Sequence, residues 1–224
     1  QQGSNKMMFY ADPTNFGKPR KMDLLLSRQM LFDSTYEWIA TQGWSFLPLD
    51  SYGGGGSEAQ FRPLEENVDD YDLAWAMYMG YGVAGVCWRG PAIFEGNLSK
   101  AVVTKWIAFY KQYRETLTSE MLIHVRRPDG QSLDAVLHAN PDPGATEKGL
   151  LFAFNPTDSH IVANVSVDMY YTGLQKFATV VPQVRSHVVL ALLCIMFVGS
   201  LMETLWVMRG PGRSRKSICE SGRY

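Results

Sequence analysis

Residues 81–117 read YGVAGVCWRGPAIFEGNLSKAVVTKWIAFYKQYRETL. Val83, Val86 and Cys87, separated only by small residues, form a continuous apolar run that suits a parallel-sheet strand covered on both faces. Trp88 and Arg89 close that run, and Gly90 and Pro91 open a polar loop. Ser99 stands where a helix N-cap is expected. Val102, Trp106, Tyr110, Tyr113 and Leu117 then recur at helical spacing on one face. The stretch is a strand–loop–helix unit, and in folds built from such units the strand ends are where sites form.

The same grammar runs upstream. MMFYAD (7–12) reads as a short strand stopped by Asp12-Pro13, because proline cannot continue a central ladder. After the turn-rich PTNFGKPR, residues 21–41 carry Leu24, Leu25, Met30, Leu31 and Ile39 on a broad helical face, closed by Gly43. WSFLPLD (44–50) is a second strand ending at Asp50, followed by a loop with four consecutive glycines. EENVDDYDLAWAMYM (65–79) is a helix whose acidic first turn suits the helix dipole. Residues 7–118 therefore read β-α-β-α-β-α, which implies a parallel sheet, either open or closed into a barrel.

Beyond Leu117 the pattern changes. MLIHVRR, LDAVLHAN, KGLLFAFN and HIVANVSV are short apolar or β-branched runs, separated by turns at Pro128-Asp129-Gly130, Pro141–Gly144 and Asn155-Pro156. That spacing predicts an antiparallel β-domain, with MYYTGL trailing after it.

Composition narrows the classes of function. The chain has 224 residues, 46% of them hydrophobic, and a net charge of −1, so no nucleic-acid partner is expected. Cys87, Cys194 and Cys219 lie far apart without a CxxC pair, which argues against a disulfide framework and a zinc site. The GGGG loop lacks the GxxxxGK[ST] and GxGxxG patterns, so it reads as a lid or linker rather than a phosphate cradle. His124 and His138 fall on predicted strands as core or surface residues. No cofactor and no metal are predicted.

Residues 188–208, VVLALLCIMFVGSLMETLWVM, carry a single charge, Glu203, and precede Arg209, Arg213, Arg215 and Lys216. About 20 apolar residues can cross a bilayer, and a basic flank marks the cytoplasmic side. A transmembrane helix is expected here, the alternative being a buried core helix of a secreted or soluble protein. That topology puts the N-terminal part on the lumenal or extracellular side, where sequons at Asn97 and Asn164 are compatible with N-glycosylation.

Asp12, Asp50 and Arg89 each follow a short strand, and in a βα barrel such positions converge on one mouth. With Tyr52 and Trp88 beside them they suit sugar chemistry: aromatic faces stack on sugar rings, and a carboxylic acid can protonate a leaving glycosidic oxygen. The same residues also fit plain turn roles, Asp12 before proline and Asp50 at a loop start.

RQMLFDSTYEW, PLDSYGGGG…FRPLEE, AWAMYMGYGVAGVCWRGPAIFEG, VTKWIAFYKQYRETL, LLFAFNPTD and YYTGL together resemble the C-terminal half of α-galactosidase-like glycoside hydrolases, over roughly residues 7–174. The resemblance implies the last three βα units of a (β/α)8 barrel (1–118) and a truncated antiparallel β-domain (119–176). The 188–208 segment and a basic tail (209–224) follow. It matches Asp12 to the acid/base aspartate, although relatives carry an Asp-Asp pair where this chain has Ala11-Asp12-Pro13. It also implies substrate contacts at Trp88 and Arg89, and a carbohydrate as partner. Such enzymes place their nucleophile on the fourth barrel strand, which the matched residues do not include. A chain inactive by itself is therefore expected. The alternative is a non-enzymatic membrane-anchored protein with a sugar-binding or structural remnant.

Overall fold

The computed structural model describes residues 20–37, 44–48, 61–82, 84–88, 92–119, 121–157, 159, 161–174, 179–185, 189–195 and 202–208. The strand expected at 7–12 lies outside them. Among the described residues three helices and two strands come first: α1 (Arg20–Glu37), β1 (Trp44–Pro48), α2 (Val68–Tyr81), β2 (Ala84–Trp88) and α3 (Asn97–Leu117). Among the described residues seven strands follow: β3 (Met121–Arg126), β4 (Asp134–Ala139), β5 (Gly149–Phe154), β6 (Ile161–Val167), β7 (Thr179–Arg185), β8 (Val189–Ile195) and β9 (Met202–Met208). The class is mixed α/β, with helices set against antiparallel sheet.

β1 and β2 pair in parallel, Trp44 opposite Ala84 and Pro48 opposite Trp88, with α2 as the crossover between them. A parallel pair requires such a connection, and the alternation of apolar strand and helix predicted it. α2 begins at Val68 rather than Glu65, so the acidic first turn consists of Asp69 and Asp70. It ends at Gly82, whose φ of 61° is left-handed, where glycine costs least.

The later strands form an antiparallel sheet ordered β3-β4-β5-β8-β7, and β6 pairs separately with β9. β4 and β5 are buried along their whole length. Their alternation splits the burial between two cores. Val136, Leu150, Phe152 and Phe154 pack with Tyr71, Ala74, Met77, Tyr81, Trp106 and Phe109 of the helices. Leu133, Ala135, Leu137, Leu151 and Ala153 pack with Val165, Val167 and Met169. The helices thus share one core with the sheet, which β6 covers from the other side. α3 buries Val102, Trp106, Tyr113 and Leu117 as its spacing predicts, while Tyr110 stays on the exposed side.

The apolar tail corrects the sequence expectation. Residues 189–195 and 202–208 are strands, not one helix. β8 lies between β5 and β7, and β9 pairs with β6, Glu203 opposite Ser166. An apolar run looks alike whether it enters a buried strand or a helix; here each seven-residue half finds an antiparallel partner. Among the described residues no helix is long and apolar enough to cross a membrane. Among the described strands β7 is an edge of that sheet, and its Pro182 sits at a register break, one of the places a strand tolerates proline.

At Gly80 helix and sheet meet closely. A Cβ there would lie 2.9 Å from Phe154 Cζ and 3.2 Å from Phe152 Cγ. Gly80→Ala should gain about 1 kcal/mol of helix propensity and lose about 1–3 kcal/mol to overpacking. Urea unfolding is therefore expected to show a lower midpoint for Gly80→Ala; a higher midpoint would contradict this packing.

Candidate functional site at the carboxyl ends of β1 and β2

Parallel strands joined by a crossover finish at the same end, and here the last residues, Pro48 and Trp88, are register partners. In the sequence β1 is followed by α2 and β2 by α3, with residues 61–67 and 92–96 described ahead of each helix. Trp88 is therefore placed at the end of β2 beside the end of β1. Asp50 and Tyr52 follow β1 in the chain and Arg89 follows β2; these three, and Asp12, lie outside the described residues. Asn97 and Asn164 are both exposed, at the first residue of α3 and on β6.

The described parts of the two loops are bound to each other by groups the sequence reading did not single out. Glu65 accepts hydrogen bonds from the Leu98 and Ser99 amides at 3.1 and 2.9 Å and from the Ser99 hydroxyl at 2.6 Å. The Ser99 hydroxyl and the two amides hold the Glu65 carboxyl below its ordinary range. Glu95 answers from the other loop, accepting from the Leu64 amide at 2.6 Å and lying 2.9 Å from Arg62 Nε. Arg62 Nη2 also donates to the Ala92 carbonyl, and the Tyr71 hydroxyl to that of Ile93.

Ser99 is thus not the N-cap of α3. Gly96 holds that position, and Ser99, three residues on, accepts from the Glu95 and Gly96 amides. The free amides of the first helical turn need acceptors. Glu65, a carboxylate from the other loop, supplies one with the charge the helix N-terminus favours. A Cβ on Gly96 would stand 2.6 Å from Glu65 Cδ, so glycine makes the approach possible. The EGNLS pattern was a legible signal of a cap; that Glu65 would reach it across the loops was not.

Other polar groups tie the helices to the sheet. Arg28 Nε and Nη2 donate to Asp134 Oδ1 and Oδ2 at 3.3 and 3.1 Å, and both side chains are buried. Burial pushes the Asp134 carboxyl up to about 6, with the Arg28 guanidinium pulling the other way. His138 Nε2 lies 3.1 Å from the Met79 and Gly80 carbonyl oxygens, two acceptors that assign its proton to that nitrogen. Burial pushes its imidazole down to about 4. His124 Nε2 is 2.7 Å from the Thr35 hydroxyl, and Asp33 pairs with Arg127, so β3 is tied to α1. Both histidines pin sheet to helix. Among the described residues no group of three His, Cys, Asp or Glu is placed to hold a metal ion.

No protein-family model matches the chain, and no curated protein matches it. Among solved structures it is similar to the native form of a debranching enzyme from Nostoc punctiforme. The identity is 16% and the TM-score 0.40, over 73% of this chain and 36% of that one. The acarbose-soaked form of that enzyme gives 16% identity and a TM-score of 0.41, over 73% and 34%. The chain spans about a third of the length of the structures it matches. At that identity and overlap the likeness decides neither family nor activity.

The buried Asp134 and His138 have opposite linkage signs. Asp134 is raised from 3.8, so its contribution is full below 3.8 and lost as pH rises through about 6. His138 is lowered from 6.5, so its contribution is present above 6.5 and lost as pH falls through about 4. Urea midpoints followed from pH 7 to pH 4 should show this (the range set by those two groups). On acidification Asp134→Asn should lose stability relative to the unaltered chain, and His138→Gln should gain it. Parallel curves would contradict the assignment.

Proposed function

We propose that this chain carries sugar-facing loops of a glycosidase-like α/β module and binds carbohydrate at the carboxyl ends of β1 and β2. One observation carries the reading: the parallel, in-register ending of the two strands at Pro48 and Trp88. It brings the end of β1, which Asp50 and Tyr52 follow in the sequence, beside the end of β2, which Arg89 follows. An indole face suits the C–H face of a sugar ring, and a guanidinium donates to its hydroxyls. On this reading Asp12, after the preceding expected strand, is the acid/base candidate. Retaining hydrolysis needs a second carboxyl about 5–5.5 Å away. The resemblance offers no residue of this chain for that role, so sugar binding without turnover is the activity proposed.

Titration of the chain with α-linked galacto- and gluco-oligosaccharides, followed by tryptophan fluorescence, tests this. Saturable binding in the millimolar range or tighter, weakened about tenfold by Trp88→Ala (some 1.4 kcal/mol), is expected. No binding, or unchanged binding by the variant, would overturn it. Aryl α-glycosides should not be cleaved; turnover abolished by Asp12→Asn would refute the proposed lack of hydrolysis.

A lumenal or extracellular placement is proposed on the two sequons, whose asparagines are exposed. Expressed behind a secretory leader, the chain should lose apparent mass on treatment with an N-glycan amidase, with Asn97→Gln and Asn164→Gln each removing one step. A chain whose mobility does not change would count against it.

A further inference from the structure

The contacts between residues 61–71 and 92–99 have an unusual symmetry. Each segment sends a glutamate to free backbone amides of the other: Glu65 to Leu98 and Ser99, Glu95 to Leu64. Arg62 spans the same gap, reaching both the Glu95 carboxylate and the Ala92 carbonyl. Leu64 and Ser99 are buried beneath this crossing, so water does not readily replace either carboxylate at those amides. Asn67 closes the first segment on itself, donating to the Phe61 and Pro63 carbonyls. Ser99 does the same for the second, through the Glu95 and Gly96 amides. Two internally fastened loops are thus cross-linked by two carboxylates.

We propose that Glu65 and Glu95 form a reciprocal lock that makes residues 61–67, ahead of α2, and residues 92–96, ahead of α3, move as one body, and are positioning residues for the sugar contacts proposed at the ends of β1 and β2. The role in sugar recognition rests on the function proposed above; the lock itself does not. If each glutamate were a private cap, losing one would loosen only the amides it holds. In a lock, losing Glu65 must also free Leu64, whose own acceptor, Glu95, is untouched.

Amide hydrogen exchange on the whole chain, resolved by residue, separates the two cases. Glu65→Gln keeps the size of the side chain but loses its charge and one strong acceptor. Exchange at Leu98 and Ser99 is expected to quicken about tenfold (the effect of some 1.4 kcal/mol) and exchange at Leu64 to quicken with it. Amides of β4 and β5, far along the shared core, should keep their protection. Glu95→Gln should produce the mirror result at Ser99. Gly96→Ala, which pushes the Glu65 carboxylate aside, should repeat the Glu65→Gln pattern with both glutamates present. An unchanged Leu64 in Glu65→Gln would overturn the lock, and so would an equal rise across β4 and β5, which means general loosening. The oligosaccharide titration is the second arm. If the unaltered chain binds sugar, Glu65→Gln should weaken binding at least threefold, and unaltered binding would overturn the positioning role. If the unaltered chain binds none, the sugar reading fails while the exchange result still decides the lock.

Discussion

The contact on which the rest of the structure depends is that of Phe152 and Phe154 with the glycine-bearing end of α2. Every second residue of β5 faces the helices, and Gly80 lets those two rings approach the helix backbone. Tyr81 stacks on Phe154 at 6.1 Å and 10°, and Phe109 of α3 meets Phe152 edge-on. Aromatic pairs in such geometries add to the burial of their area. The sheet therefore holds α2, and α2 is the crossover between β1 and β2. What fixes the crossover fixes the end at which those strands finish.

Charge is used in two distinct ways around that core. Inside, Arg28 and Asp134 satisfy each other, and His138 caps carbonyls at the end of α2. A buried pair of this kind gives little net stability but is costly to break. It favours one seating of α1 on the sheet. At the loops the carboxylates are partly exposed and aimed at backbone amides rather than at arginines alone. Glu65 and Glu95 fasten chain segments whose Phe61, Leu64 and Ile93 pack on the helix–sheet core. The core sets the strands, and the crossed glutamates set the loops that leave them.

Much of the architecture was legible locally. The apolar run at 83–88, the spacing of Val102, Trp106, Tyr113 and Leu117, and the turns at Pro128–Gly130 and Pro141–Gly144 placed most elements before any coordinates. Three features were not legible for physical reasons. An apolar segment has the same composition in a buried strand as in a membrane helix, so 188–208 suggested one helix where β8 and β9 stand. A cap supplied by a residue 34 positions away, as Glu65 supplies it to Ser99, leaves no local pattern. The continuous core between helices and sheet could not be read either, because each strand of GLLFAF type shows only that both faces are apolar. The strand ends were legible, β2 closing at Trp88 as its apolar run implied. Asp12, Asp50, Tyr52 and Arg89 lie outside the described residues.

The central claim is that helices and sheet share one core, so that the strand ends and their loops are held by the whole fold. Differential scanning calorimetry of the intact chain tests it most directly. One transition is predicted, with a van't Hoff enthalpy equal to the calorimetric enthalpy, as for a single cooperative unit. Two resolved transitions, the helical region melting apart from the sheet, would contradict the account.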